Sequence, residues 1–163
     1  MSLNMIALDR VNKDNQNIIS NLLQFYMFEL NQRSTFKHFE LGQDGKYLQY
    51  PYFENYWSEE QRFPYAVQYK GQVIGFSLVH DITLNESIRW KLAEFFIMPE
   101  FRRQNIGTEA ALTTIKSHPG SWEISVLEDN NPAKIFWLRI LKRLSAKYQS
   151  YRYQNYEVFE ITP

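Results

Sequence analysis

The sequence contains no cysteine, and this absence excludes three kinds of chemistry. Disulfide bonds, a thiolate nucleophile and zinc bound by cysteine are all impossible. Histidine is also scarce: the chain has only His38, His80 and His118, and no two of them have the spacing of a helical metal-binding pair. We therefore predict that the protein holds no metal ion.

The sequence also lacks an excess of positive charge. Eighteen basic residues balance eighteen acidic residues, so the formal net charge is zero. This balance argues against the phosphate backbone of a nucleic acid as the main partner. No stretch approaches the roughly 18 consecutive apolar residues of a membrane span, and the N-terminus has no signal-peptide pattern. These features predict a cytoplasmic protein with neither a nucleic-acid nor a membrane partner.

The chain does have the length and apolar content of an ordinary domain. Its 163 residues, 44% of them hydrophobic, predict a single domain over residues 1–163. Aromatic residues reach 17%, and many of them lie between Tyr47 and Trp57. Such side chains can stack on a planar substrate or surround an ammonium group, but burial in a core or at a dimer interface is their commoner role. The sequence leaves both monomer and homodimer open.

Hydrophobic periodicity predicts a mixed α+β (α/β) architecture. Strands are predicted at 4–8, 65–69, 73–79, 90–98 and 122–127, with two more within 148–161 around Asn155. Helices are predicted at 15–31, at 104–117, and from Pro132 with Asn130 or Asn131 as the cap, whereas 32–63 is predicted to be loop plus a short helix. The sum is a mostly antiparallel sheet of about six to seven strands with flanking helices and one parallel crossover through helix 104–117.

The most informative segment runs from Phe95 to Gly107, where a buried strand ends at a basic turn and a helix begins. The first N–H groups of a helix lack internal partners and favour an anion. Gly107 has no Cβ, so a phosphate can approach the backbone, and asparagine is the residue type that best replaces glycine in a left-handed backbone, as Asn105 would. Arg102 and Arg103 add positive charge. The alternative interpretation of this segment is an ordinary capped helix with two solvated arginines and no anion site.

Two motifs in this region resemble the signature of the GNAT superfamily, the acyl-CoA-dependent N-acyltransferases. The first is Arg102-x-x-Asn105-x-Gly107 at the strand-to-helix turn, led by Ile97, Pro99, Glu100 and Phe101. The second follows the strand at 122–127 and consists of Asn130-x-x-Ala133-x-x-Phe136-Trp137. The resemblance covers roughly residues 73–144 and implies a GNAT-like fold.

The resemblance also implies a binding site for acetyl-CoA as co-substrate. The pyrophosphate would bind backbone amides of residues 103–108, and the pantetheine arm would lie along the strand edge at Phe96–Met98. The cofactor-binding residues implied in this way are Phe96, Ile97, Met98, Arg102, Arg103, Gln104, Asn105, Ile106, Gly107, Thr108, Asn130, Ala133, Phe136 and Trp137. Trp137 stands where many members carry a tyrosine that protonates the departing thiolate, and an indole cannot do this.

The predicted reaction is transfer of an acetyl group from acetyl-CoA to a primary amine of a small molecule or peptide, by direct attack on the thioester. The backbone N–H of Ile97 is the oxyanion donor that the family implies. Glu94 is the preferred general base because it lies in an apolar strand, where burial favours a usable base; Glu123 and His80 are the alternatives. Strand alternation places Glu94 on the face opposite Ile97 unless a bulge intervenes. The alternative to a catalytic role is that Glu94 belongs to a structural hydrogen-bond network on that face.

Two other functions remain compatible with the sequence. One is a non-catalytic acyl-CoA-binding or regulatory module on the same fold, which the loss of the tyrosine favours. The other is an interaction protein whose aromatic surface binds a partner and whose basic turn has no ligand.

Overall fold

The computed structural model describes residues 5–163 as one sheet with helices on both faces. The strands are β1 (Ile6–Arg10), β2 (Arg62–Tyr69), β3 (Gln72–His80), β4 (Trp90–Ile97), β5 (Trp122–Leu127), β6 (Lys147–Tyr153) and β7 (Tyr156–Thr162). The α-helices are α1 (Asn17–Arg33), α2 (Asn55–Ser58), α3 (Ile106–Ser117) and α4 (Asn131–Leu144). Single turns of 3₁₀ helix occupy Lys13–Asn15 and Pro99–Phe101.

The seven strands are ordered β1-β2-β3-β4-β5-β7-β6, and only the β4–β5 pair is parallel. The predicted mixed, mostly antiparallel sheet and its single crossover through α3 are therefore confirmed. The first strand lies at 6–10 rather than 4–8, and Asn4 is outside the described residues. Helix α3 begins at Ile106, two residues later than predicted, because Arg103 and Asn105 both have a φ of 64°.

The β4 and β5 strands separate halfway along their length. They pair over only three positions, the last of which joins Leu92 to Ile124. On the other side of β4, Leu78 pairs with Glu94 and Val79 with Leu92, so Ala93 is an extra residue that forms a β-bulge. A gap therefore opens beside the C-terminal half of β4, and the site described below is built around this gap.

The core has one layer on each face of the sheet. On one face, Phe76 and Phe96 pack against α1 and against Phe53 and Tyr56, which belong to the aromatic-rich segment 47–57 (the aromatic segment). On the other face, α3 and α4 cover a layer that includes Trp122 and Phe159. Phe53 and Tyr56 are only 5% and 4% exposed, so the aromatic segment contributes to the core, although Tyr52 is 70% exposed. None of the helices described within residues 5–163 is long and apolar enough to cross a membrane.

Candidate active site

The turn between β4 and α3 presents a row of unused backbone donors. The N–H groups of residues 103–108 donate to no other group within residues 5–163. The first N–H group of α3 that has a hydrogen-bond acceptor within the protein is that of Glu109, which donates to the Asn105 carbonyl at 3.1 Å. Consecutive free N–H groups at a helix start form a site for an anion, with the helix dipole adding to the attraction.

Asn105 and Gly107 shape this turn in different ways. Asn105 has the left-handed backbone that the motif requires, and its side chain is held by Glu109 at 3.1 Å and Arg143 at 3.2 Å. A Cβ at Gly107 would meet only Phe136 at 3.7 Å and Ile97 at 3.9 Å, which are ordinary contacts. Packing within the protein therefore does not require glycine at 107, and the space beside it opens into a cavity.

That cavity, the large cavity, has a volume of about 950 Å³ and lies between α1, the end of β4, the turn and α4. Most residues of the predicted cofactor set line it: Phe96, Ile97, Arg102, Arg103, Asn105, Gly107, Thr108, Asn130, Ala133, Phe136 and Trp137. Met98, Gln104 and Ile106 do not. Ile106 is buried, and Met98 donates its N–H to the Ile74 carbonyl on β3 at 2.8 Å.

Among residues 5–163, four arginines and one carboxylate line the large cavity, so it favours a polyanion. The guanidinium of Arg102 is bound by both carboxylate oxygens of Glu29, at 2.7 and 2.6 Å, and its Nε donates to the Ile97 carbonyl at 2.7 Å. Burial alone would raise the pKa of Glu29, but Arg102 and Arg33 outweigh it and hold that pKa below its ordinary value. Arg102 thus ties β4 to α1 and is less available to a ligand than expected.

The other two arginines have no carboxylate partner within residues 5–163. These are Arg103 on the turn and Arg139 on α4. Arg139 was not among the predicted site residues. The signal was nevertheless present, because Arg139 lies three residues after Phe136 and shares its face of the helix.

A second cavity, the small cavity, has a volume of about 360 Å³ and lies in the gap between β4 and β5. Glu94 lines it, and the hydroxyls of Tyr26 and Tyr50 each donate to one of its carboxylate oxygens. Burial, followed by the negative charge of Glu94, raises the pKa of both tyrosines, so both remain protonated at working pH. Neither tyrosine was among the predicted site residues.

The strand alternation expected for β4 is confirmed despite the bulge at Ala93. Glu94 and Phe96 face α1, whereas Phe95 faces α4 and stacks on Phe136 with ring centroids 5.9 Å apart. Ile97 also packs on the α3 side. The bulge lies before Glu94, so it does not disturb the alternation after that residue.

The two alternative bases occupy different surroundings. Glu123 is fully buried and lines neither cavity; it accepts from the Leu84 N–H at 2.6 Å and pairs with Lys91 at 2.6 Å. His80 lines the small cavity, but burial lowers its pKa to about 4, and its Nδ1 accepts from the Ile82 N–H at 3.2 Å. Of the two carboxylates, Glu94 lines a cavity and Glu123 does not.

The backbone N–H of Ile97 points into the gap. Since the N–H of Met98 is directed at β3, and successive N–H groups of a strand alternate between its two edges, that of Ile97 faces the β5 side. There β5 has already separated from β4. The structure thus offers a donor where an oxyanion could be bound.

Helix α4 forms the opposite wall. Asn130 caps the helix by accepting from the Ala133 N–H at 3.4 Å, so of the two asparagines predicted as the cap it is Asn130 rather than Asn131. Trp137 is 7% exposed and packs edge-on against Phe95 and Phe136, at 5.6 and 5.0 Å between ring centroids. It lines both cavities but has no proton that it can release.

Comparison with known proteins agrees with this fold and motif pattern. The profile of the acetyltransferase (GNAT) family matches residues 25–141, which is more than half of the chain. The protein therefore belongs to the GNAT acetyltransferase family. A comparison with curated protein sequences finds no significant match.

Solved structures share the fold at low sequence identity. An acetyltransferase of Thermus thermophilus has a TM-score of 0.67 at 12% identity, covering 100% of this chain and 99% of that chain. Diaminobutyrate acetyltransferase EctA of Paenibacillus lautus, in complex with L-2,4-diaminobutyric acid and coenzyme A, has a TM-score of 0.65 at 13% identity, with 97% and 95% coverage. NAA60 of Arabidopsis thaliana with acetyl-CoA has a TM-score of 0.55 at 14% identity, with 96% and 97% coverage.

Proposed function

We propose that the protein is an N-acetyltransferase that transfers an acetyl group from acetyl-CoA to the primary amine of a small molecule or peptide. The observation that carries this proposal is the row of free N–H groups at 103–108, which lies at one end of the gap beside β4. Membership of the GNAT family and neighbours bound to coenzyme A or acetyl-CoA support an acyl-CoA donor.

The donor would be held by the large cavity. Its pyrophosphate would accept from the free N–H groups, with Arg103 and Arg139 supplying charge. The pantetheine arm would then lie in the gap along Phe96–Met98, in the place that a paired strand would otherwise occupy. This brings the thioester towards the small cavity, where Glu94 lies.

The acetyl transfer needs no covalent enzyme intermediate. The amine nitrogen attacks the thioester carbon, the N–H of Ile97 stabilises the oxyanion, and the C–S bond then breaks. Glu94 accepts the proton that the attacking nitrogen loses. The Glu94 carboxylate and the aromatic walls near it suit a cationic acceptor before it loses its proton, while Lys37 and Lys91 line the same cavity.

A non-catalytic acyl-CoA-binding module is the second candidate, and one observation favours it. Trp137 replaces the common tyrosine of the family and cannot protonate a thiolate. This loss need not abolish activity, since a thiol of pKa near 8.5 is a tolerable leaving group at neutral pH.

The test has two arms. Calorimetry with acetyl-CoA is expected to show a dissociation constant in the micromolar to millimolar range. Thiol release is then measured with acetyl-CoA and a panel of amines: L-2,4-diaminobutyric acid, a polyamine, free amino acids and peptides with free N-termini. A rate well above that of hydrolysis with at least one amine supports the enzyme.

The outcomes separate the candidates. Binding of acetyl-CoA without amine-dependent release would favour the non-catalytic module. No heat of association with any CoA species at millimolar concentration would overturn both and leave the interaction protein.

A further inference from the structure

The two cavities share part of their lining, and one shared residue carries a transferable proton. Tyr26 is that residue; the other shared side chains, none of which can release a proton at working pH, are Leu30, Phe95, Asn130, Ala133 and Trp137. The thioester of the proposed donor would have to pass from the large cavity into the small one. Tyr26 therefore lies where the sulfur and the acceptor amine would meet.

The ring of Tyr26 is firmly positioned. It packs edge-on against Phe76 and Phe96, with ring centroids 5.7 and 5.8 Å away, so it is anchored on the buried layer beneath α1. Its hydroxyl donates to one oxygen of Glu94. The proposed base and a phenol are thus already joined by a hydrogen bond.

We propose that Tyr26 is the proton donor to the departing thiolate, acting in a relay with Glu94. This inference rests on the proposed function. A neutral amine attacks the thioester carbon to form the C–N bond, and Glu94 accepts the proton that the nitrogen loses. The C–S bond breaks with its electron pair on sulfur. Tyr26 gives its hydroxyl proton to that sulfur and receives the proton held by Glu94, so that carboxylate, phenol and free CoA thiol remain.

The electrostatics explain why the two transfers belong together. Burial and the charge of Glu94 raise the pKa of Tyr26, so it is protonated when the thiolate forms. The same effects make a lone phenolate beside a carboxylate costly. If Tyr26 receives the proton from Glu94 as it gives its own to the sulfur, no phenolate forms beside the carboxylate. The relay also supplies the proton that Trp137 cannot.

Tyr50 provides a matched control within the same site. Its hydroxyl donates to the other oxygen of Glu94, but its side chain lines only the small cavity. Tyr26→Phe and Tyr50→Phe each remove one hydroxyl and one hydrogen bond to Glu94. If both phenols merely orient the carboxylate, the two variants should lose similar activity.

The experiment uses acetyl-CoA, with the amine that gives the fastest thiol release with the wild-type protein, in single turnovers that isolate the chemical step. Tyr26→Phe is expected to slow this step by about 100-fold or more, and Tyr50→Phe by less than about 10-fold. The dissociation constant for acetyl-CoA, measured by calorimetry, should stay within about twofold in both, since neither hydroxyl belongs to the phosphate site.

A rescue variant gives a second readout. Trp137 lines both cavities, so Trp137→Tyr in the Tyr26→Phe background returns a phenol to the junction. We expect the double variant to catalyse the chemical step at least about tenfold faster than Tyr26→Phe alone.

Three outcomes count against the inference. Equal losses in Tyr26→Phe and Tyr50→Phe, or no recovery in a folded double variant, would overturn it while leaving the proposed function intact. A wild-type protein without amine-dependent thiol release would overturn the proposed function and this inference with it.

Discussion

The large and small cavities meet at the gap between β4 and β5, but the chain builds them differently. One wall of the large cavity comes from the continuous segment 95–107, in which a strand end, a basic turn and a helix start follow one another. The polar centre of the small cavity joins Glu94 to Tyr26 and Tyr50, which are 68 and 44 residues away in sequence. That wall of the large cavity is local in the chain, whereas the polar centre of the small cavity forms only on folding.

The cavities also differ in charge and therefore in expected role. Four arginines, one carboxylate (Glu29) and free backbone donors line the large cavity, whereas the small cavity holds a carboxylate between two phenols together with Lys37 and Lys91. Fixed dipoles and cations suit binding of a polyanion, and a carboxylate suits proton transfer. Substitutions in the large cavity should therefore change affinity for acetyl-CoA, and those in the small cavity should change the rate.

The largest effect is expected from Glu94→Gln. This variant keeps the size of the side chain but removes the proton acceptor, so kcat should fall by about 100- to 10,000-fold across the pH range. Affinity for acetyl-CoA should be unchanged. Thiol release as a function of pH measures kcat, and calorimetry measures the affinity for acetyl-CoA.

The matched control is Glu123→Gln on the neighbouring strand. Glu123 is buried but lines neither cavity, so its loss should lower the melting temperature with little change in kcat of the folded protein. A Glu94→Gln rate equal to that of the wild type at every pH would remove Glu94 from the mechanism.

A smaller effect, on affinity, is expected from Gly107→Arg. The new side chain would fill the space in front of the free N–H groups, so acetyl-CoA should bind about 10- to 100-fold more weakly, as expected when hydrogen bonds to a charged group are lost. Gly107→Ala serves as the control for folding, because its Cβ makes only ordinary contacts at 3.7 and 3.9 Å. Normal binding of acetyl-CoA by Gly107→Arg would show that the pyrophosphate lies elsewhere.

Glu29→Gln should change stability more than chemistry. It removes the carboxylate that binds Arg102, and we expect a cost of about 1 kcal/mol at pH 7, since both side chains keep some contact with water. The pKa of Glu29 is lowered in the folded state, so its stabilisation is full above the unfolded value and is lost as the pH falls through the folded value. The wild-type advantage in melting temperature should therefore shrink on acidification below about pH 4. An advantage that does not shrink on acidification would contradict this assignment.

The effect that is smallest at neutral pH concerns His80, and it tests whether a histidine takes part in the proton chemistry of the small cavity. Its pKa is lowered to about 4, first by burial and then by Arg62 and Lys91, so it is neutral at neutral pH. Because the unfolded value is about 6.5, stability should decline as the pH falls from about 6.5 towards 4, and His80→Gln should flatten that decline. An NMR titration with a midpoint near pH 6.5 would contradict the assignment.

Features encoded in short segments were predicted well. Asn105 has the left-handed backbone expected of a glycine substitute, and Asn130 caps α4 ahead of Pro132. The two C-terminal strands also turn at Asn155 as expected, with β6 ending at Tyr153 and β7 starting at Tyr156. Each of these features depends on a residue type and its immediate neighbours in the chain, and both can be read directly from the sequence.

Features that depend on distant contacts were missed or left open. Tyr26 lies among Leu23, Met27 and Leu30 on α1, so periodicity marks it only as part of the buried face. Tyr50 falls in a segment whose loop path no local pattern determines. The bulge at Ala93 arises from the register between β3 and β4, and that register is decided by which side chains pack on each face.

By itself the sequence determined the turn at 102–108, the order of strands and helices, and the family to which the chain belongs, because backbone preferences and motif spacing act over a few residues. Only the tertiary structure decided that Glu94 lies between two phenols, that Arg102 is engaged by Glu29, and that the two cavities meet at Tyr26. The reason is that each of these contacts joins residues that are far apart in the chain, and the cavities meet where β4 and β5 separate after Leu92.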